Sequence, residues 1–484
     1  MAVNYKPIGT TVTLYDNSRL INPIVPQKIP AIVALGASSI SVIDEAIIRG
    51  TGSLDLTQQS NNTILSISKV SSTPGVEAGN LSYRAISDNG VLYSIASASV
   101  SNPGGVSWVG SGVNVPTTGS VYYISYTYAL RDVQYNPAVF YDKGSIVSIK
   151  GEESNTTGIL SVGGNIALEN GSPGVILVQA SGSTYNENNY KTAIDKLQKR
   201  QDISYIVCLF PSGSVTKLQQ ESLINYAHSH VITMNNNGRE RGLISGSPSS
   251  KYASGGFDVI GDPSTPDTYA YRSNVIKNRH HTYVVPSDVT RVGPDGQVMQ
   301  LDGNFIGAAL AGVRSAQSKK STPVHGFVLN GVNIEDDKWT DFEMNKLGAS
   351  SCCVVMSKGG IVTVRDDLTT DLTSADTQEP SVVNVQRLVK ETLRNGLNNT
   401  YTSKGKVITP TTINDVTATT ASLLQSLVTS EEIVSYGQVD NPLTGETKIF
   451  AKQNETEPRQ IDVTCSYLPP YPLKYFSVSV SVYI

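Results

Sequence analysis

Two nearly continuous apolar runs, "GVILVQA" (174–180) and "ISYIVCLF" (203–210), flank a segment with helical spacing, "NENNYKTAIDKLQKR" (186–200). A strand that is apolar on both sides must be covered on both sides, which is the place of a central strand in a parallel sheet. Tyr190, Ala193, Ile194 and Leu197 line one side of the intervening helix. "SVTKLQQESLINYAHSH" (214–230) repeats the helical spacing through Leu218, Leu223 and Tyr226, and "VITMNN" (231–236) reads as a further strand. Strand, helix, strand, helix, strand predicts an α/β layer from about 165 to 375. "NFIGAALAGVRSAQ" (304–317) predicts a small-residue helix able to approach that sheet closely. "ASSCCVVM" and "GGIVTVRDD" predict a hairpin turning at Lys358-Gly359-Gly360.

The regions on either side read differently. From about 40 to 132, short β-branched or aromatic runs such as "SISVIDEAIIRG" and "SVYYISYTY" alternate with turn chemistry at Asp88-Asn89-Gly90 and Pro103-Gly104-Gly105. That spacing predicts a compact all-β domain. Between 376 and 466, "SVVNVQRLVKETLRNGL" carries a stripe of Val382, Val385, Leu388, Val389 and Leu393. Arg387, Lys390, Glu391 and Arg394 form much of its opposite face. A second helix around "DVTATTASLLQSLV" follows, then a strand pair from "EEIVSYGQVDNP" and "QIDVTCSYLPPYP". The 484 residues are too many for one core. The expected class is a multi-domain α+β or α/β chain. Its parts are an N-terminal arm (1–20), a Pro-punctuated connector (21–39), an inserted β domain (40–132), an α/β core (133–375), a C-terminal α+β domain (376–466) and a C-terminal arm (467–484).

Composition excludes several functions. A net charge of -4, with 37 Lys and Arg dispersed along the chain, argues against nucleic-acid binding. No run of 18 apolar residues is present, and "MAVNYKPIGTT" lacks the features of a signal peptide. Cys208, Cys352, Cys353 and Cys465 are too few for a disulfide framework. Neighbouring Cys352 and Cys353 cannot face one metal from a regular strand, so buried thiols are expected. The chain has no phosphate loop, no dinucleotide-binding glycine pattern and no nucleophile elbow. His228-x-His230 falls at a helix end, and "KNRHH" (277–281) reads as solvated or interfacial charge. No catalytic residue, metal or cofactor is expected.

Both termini carry strand patterns next to proline. In "KYFSVSVSVYI" (474–484), Phe476, Val478, Val480, Val482 and Ile484 alternate with Ser477, Ser479, Ser481 and Tyr483. Burying those five apolar side chains contributes about 8–15 kcal/mol. Ordering about nine free residues costs roughly 9–18 kcal/mol in backbone entropy. The tail therefore needs ladder hydrogen bonds, preferably from a strand on each side. Pro469-Pro470-Tyr471-Pro472 is a stiff spacer before it. Val12 and Leu14, set off by Pro23, Pro26 and Pro30, repeat the arrangement at the other end. Such arms are suited to pairing with strands of neighbouring molecules, and a heterologous contact of that kind grows into rings or helical filaments.

In this order along the chain, "ISVIDEAIIRG…YYISYTY", "LSVGGNIALENGSPGVILVQ", "DGNFIGAALAGVRS" and "SVVNVQRLVKETLRNGLNNTYTSKGK…SYG" resemble the contractile tail sheath proteins of bacteriophages. The resemblance implies a non-enzymatic subunit of the virion tail, assembled in the host cytoplasm. It would polymerise helically with itself around the tail tube and contract to drive the tube through the host envelope. It also implies strand exchange between subunits through Val12, Leu14, Phe476, Val478, Val480, Val482 and Ile484. The implied partners are the tail tube protein and the baseplate and tail terminator proteins, with no nucleic acid and no direct membrane insertion. Arg387, Lys390, Arg394, Lys404 and Lys406 are the candidates to face the tube. The alternatives are a sheath of a phage-derived bacterial injection system, a baseplate protein or, remotely, a polysaccharide hydrolase.

Overall fold

The computed structural model describes residues 28–36, 39–48, 63–71, 74–75, 93–95, 106–108, 119–129, 135–213, 215–249, 260–261, 263–264, 266, 268–294, 296–437 and 449–472. Its centre is an eight-stranded sheet in the order Ile361–Asp366, Cys353–Lys358, His281–Val285, Gly242–Gly246, Ile203–Cys208, Ile29–Leu35, Val175–Ala180, Ala138–Phe140. The six inner strands are parallel and the two edge strands antiparallel. Val175–Ala180 is buried along its whole length, as an apolar run covered on both sides must be.

Ile29–Leu35 is the correction to the connector expected at 21–39. This strand is buried throughout and lies between Val175–Ala180 and Ile203–Cys208, with Ala31 opposite Ile176 on one side and Ile206 on the other. Pro30 read as a break because it has no N–H to give a ladder. The sheet accommodates it with a register shift between Ile29 and Ala31 against Ile203–Cys208.

A second correction concerns "VITMNN". The helix Lys217–Asn236 runs through it, capped by Thr216 and Gln219 in a reciprocal box. Leu223, Ala227, Val231 and Met234 recur at helical spacing and are all buried, so packing overrides the β propensity of Val231, Ile232 and Thr233. Leu218, expected on the inner face, is 72% exposed. The other helices lie where their spacing predicts: Glu187–Asp195, Gly303–Ala316, Pro380–Leu397 and Pro410–Thr429.

Gly303–Ala316 packs against both the sheet and the helix Ile159–Glu169. A Cβ at Gly312 would strike the carbonyl oxygen of Ala167, so the helix pair closes on a glycine. The predicted hairpin forms, with Met356 opposite Thr363 and positive φ at Gly359 and Gly360. Its outer strand is covered in turn by Gly326–Leu329, through Gly326 N to Val364 O at 2.7 Å and Leu329 N to Val362 O at 2.9 Å. Cys352 and Cys353 are both buried, in separate apolar clusters. Two ionic clamps complete the core. Arg291 donates to both Glu153 and Glu169 at 2.7–2.8 Å, and Arg314 pairs with Asp367 behind near-complete burial.

The described residues between 39 and 129 form a three-stranded antiparallel sheet, Ser39–Ile48, Val121–Ala129 and Thr63–Ser71, with Val121–Ala129 in the middle, and a small pair, Tyr93–Ile95 with Val106–Trp108. Tyr122, Ile124, Tyr126 and Tyr128 alternate along the middle strand and are buried, the period-2 pattern of a one-sided sheet.

Candidate assembly surface

The segment after 375 has its own small core. Val385, Val389 and Leu393 of Pro380–Leu397 meet Leu424 and Leu427 of Pro410–Thr429, together with Ile433 and Tyr467. The expected strand pair forms as Ser435–Tyr436 against Tyr467–Leu468. A second pair, Phe450–Gln453 with Ile461–Thr464, stands as a two-stranded ribbon. Its turn is held by Asn454, whose side-chain oxygen accepts from the Thr456 and Glu457 backbone N–H groups at 2.9 and 2.8 Å.

The ribbon has two unlike faces. Opposed pairs place Ala451, Val463, Gln453 and Ile461 on one face, and Phe450, Thr464, Lys452 and Asp462 on the other. Ala451, Ile461 and Val463 are half-buried, and Phe450–Gln453 runs beside the helix Pro410–Thr429. Phe450, on the opposite face, is 51% exposed. An isolated two-stranded ribbon is marginally stable, and a further strand would extend both its ladder and its apolar face. Sequence reasoning missed this ribbon because its strands are short and mixed in polarity.

The expected strand-exchange residues Val12, Leu14, Phe476, Val478, Val480, Val482 and Ile484 lie outside the described residues. The residues next to both terminal stretches are placed, and both contact the segment leading into or forming the helix Pro380–Leu397. Lys28 pairs with Glu391 at 2.7 Å, and the Tyr471 hydroxyl donates to Asp376.

Arg387, Lys390, Glu391 and Arg394, on the face opposite the apolar stripe, are buried or half-buried rather than exposed. The face docks on the α/β core, where Arg387 and Arg394 find their polar partners. Arg387 is 8% exposed, with its guanidinium between His280 and Asn384 and over the Tyr205 ring. Arg394 donates to the Gly238 carbonyl and to Glu240. Burial lowers the Lys28 ammonium and raises the Glu391 carboxyl, each partly offset by the other's charge. Glu432 fastens the far end by accepting from the Lys320 and Ser321 backbone at 2.8–3.2 Å. Lys404 and Lys406 are exposed, in the turn joining the two helices, beside the 73% exposed Val407.

His228 and His230 both lie inside the helix Lys217–Asn236, not at its end. His228 Nδ1 meets His281 Nδ1 at 3.2 Å, and His281 Nε2 meets the Ser245 hydroxyl at 2.7 Å. Among the described residues no group of three or more His, Cys, Asp or Glu side chains could hold a metal ion, and no helix is long and apolar enough to cross a membrane.

No family model matches the chain. In sequence it is 26% identical over 373 residues to a tail sheath protein of Mycobacterium phage Bxz1, an alignment covering 75% of this chain and 59% of that protein. The chain therefore spans under two thirds of the length of that relative. In structure it is similar to the helical sheath of the anti-feeding prophage in its contracted state, with a TM-score of 0.56 at 9% identity over 99% of each chain. It is also similar to the sheath complex of an extracellular contractile injection system, PVC, in its contracted state. That TM-score is 0.51 at 12% identity, over 72% of this chain and 89% of the other. The chain is thus a sequence relative of a phage tail sheath protein and has the mixed α/β fold of contractile-sheath subunits.

Proposed function

We propose that the chain is a non-enzymatic structural subunit of a contractile phage tail sheath. Copies assemble helically around a tail tube, and contraction drives the tube through the host envelope. The observation that carries this reading is the sequence similarity to a tail sheath protein across three quarters of the chain. The fold shared with sheath subunits supports it.

Subunits are linked by terminal strands. Residues 476–484 and the arm around Val12 and Leu14 donate, and the ribbon Phe450–Gln453/Ile461–Thr464 of a neighbour accepts. A donor strand set with Phe476, Val478, Val480, Val482 and Ile484 on the Val463 face would continue an apolar surface already half-buried against the helix Pro410–Thr429. Lys404 and Lys406, exposed at the helix–helix turn, are the charges available to a tube. Arg387 and Arg394 are committed within the subunit. The baseplate and terminator contacts follow from a sheath that must end on other proteins. No energy source beyond the assembly is required, since a metastable polymer releases its own free energy when triggered.

Electron microscopy of the full chain beside a chain ending at Pro472 tests the proposal. The cut is placed there because Tyr467 is buried and Tyr467–Leu468 pairs with Ser435–Tyr436. Long striated tubes from the full chain, and only monomers or short rings from the shortened one, are expected. Monomers from both would overturn the sheath reading. Tubes from both would overturn linkage through residues 473–484.

A further inference from the structure

The most acidic stretch of the chain borders a cleft at the far end of the α/β core. Residues 335–343, "EDDKWTDFE", hold five carboxylates and one lysine. Their net charge of -4 equals that of the whole chain, so all other residues together sum to zero. Set among these charges are Trp339 and Phe342, the second 78% exposed.

The stretch is held in place by its own polar groups. Asp336 accepts from the Gly360 N–H at 2.9 Å and from the Ser357 hydroxyl, and Asp337 N donates to the Ser357 carbonyl at 3.1 Å. Thr340 and Glu343 close a capping box at the start of the helix Asp341–Ala349. Between this stretch and the strand Cys353–Lys358 lies a cleft of about 220 Å³. Trp339, Met344 and Met356 line it, and the Trp339 ring stands edgewise to Tyr269 at 5.9 Å. Glu335, Asp337 and Asp341 line it too; all three are exposed and make no ion pair among the described residues. Of the two lysines there, Lys338 lies 3.9 Å from Asp288, and Lys358 is exposed. Carboxylates therefore outnumber the cations left to balance them.

Size and lining select the occupant. Pockets that enclose a whole small ligand measure roughly 300–1,000 Å³, so this cleft suits one long side chain. A lysine or arginine lays its apolar stem on such a floor and keeps its charge at the mouth. An indole ring adds attraction for a cation over its face. We propose that the cleft docks a basic segment of a partner protein. One lysine or arginine seats beside Trp339, and further basic residues run along Glu335, Asp337 and Asp341. Pro286 and Ser357, which also line the cleft, lie at the ends of the parallel strands His281–Val285 and Cys353–Lys358. The helix Pro380–Leu397 docks near the strand starts, through Tyr205 and His280. The two surfaces are thus at opposite ends of the sheet, and the inference does not depend on the sheath reading.

The test is titration of the full chain with acetylated tetralysine amide, followed by tryptophan fluorescence. A saturable change is expected, and tetraglutamate should give none. Trp339→Phe leaves Trp108 as the single tryptophan and should lose the signal. The triple variant Glu335→Gln, Asp337→Asn, Asp341→Asn changes exposed side chains, and asparagine suits the positive φ at 337. It should fold normally and bind the peptide about tenfold more weakly. No saturable change, an equal response to tetraglutamate, or unchanged affinity in the triple variant would overturn the site. A full response from Trp339→Phe would overturn it as well, by placing the peptide near Trp108. Self-association that the triple variant loses, without a peptide response, would overturn the partner reading and seat a second copy in the cleft.

Discussion

Arg394 donates to Glu240 Oε1 at 2.9 Å and to the Gly238 carbonyl at 2.5 Å, fastening the last turns of the helix Pro380–Leu397 to the loop before Gly242–Gly246. The Glu240 side chain has no exposed surface, and that of Arg394 retains 14%. The two groups come from units with separate apolar cores, so the join between them is polar rather than greasy. A polar join of this kind depends on both partners being present, since either alone is a desolvated charge.

Arg394→Met should therefore cost about 3–5 kcal/mol, the loss typical of breaking a buried pair from one side. Glu240→Gln in the same chain should return part of it by removing the orphaned charge. Urea unfolding of the two single variants and the double variant measures the coupling. Additive effects would show that the pair contributes no more than its separate parts.

The close approach of two helices makes a sharper steric prediction. Gly312 faces the Ala167 carbonyl, with Asn170 Cβ within 3.0 Å of the place a methyl would occupy. Because the obstacle is backbone, no rotamer change relieves it. Gly312→Ala should destabilise by about 1–3 kcal/mol despite the better helix propensity of alanine.

Much of the α/β core was legible in the sequence, because its signals are local. Val175–Ala180 and Ile203–Cys208 are unbroken apolar runs, and Tyr190, Ala193, Ile194 and Leu197 mark the helix between them. Ile29–Leu35 was hidden by Pro30, whose meaning depends on a register shift in a partner strand that local pattern does not carry. The burial of Arg387 was equally illegible, since a charged face beside an apolar stripe reads as solvated until a second polar surface is known to cover it. His280 and Tyr205 supply that cover, and only the fold brings them there from more than a hundred residues away.

His280 and His281 make stability depend on pH with a definite sign. Burial holds both imidazoles well below the ordinary histidine range, and the Arg387 charge adds to this at His280. Below about pH 6.5 the unfolded chain binds protons that the folded chain refuses. Their stabilising contribution is thus complete above pH 6.5 and is lost as pH falls towards the folded-state values, at about 1.4 kcal/mol per unit for each imidazole. Asp302, raised by burial to about 7, acts with the opposite sign between its unfolded value and there, so a total curve mixes the two. The difference between wild type and His280→Asn isolates the histidine. Unfolding free energies from pH 8 to 5 should show a shallower fall in acid for the variant, and parallel curves would refute the assignment.

Strand addition to the ribbon predicts a change in backbone protection that side-chain packing alone would not give. In an antiparallel pair, alternate N–H groups of each strand point away from the partner. In the free subunit, half of the amides in Phe450–Gln453 and Ile461–Thr464 thus have no ladder partner within the ribbon, and they should exchange quickly. If the polymer adds a donor strand, amide exchange across 449–464 should slow markedly on assembly. The slowing should vanish for the chain ending at Pro472 when it is mixed at the same concentration. Phe450→Ser provides the complementary variant. Phe450 is half exposed, so the change should alter subunit stability by about 0.5 kcal/mol or less. It should still shorten the tubes, because an incoming strand would bring Ser477, Ser479, Ser481 and Tyr483 onto the Phe450 face. Unchanged exchange on polymerisation would mean that copies join through another surface and that the ribbon is complete as two strands.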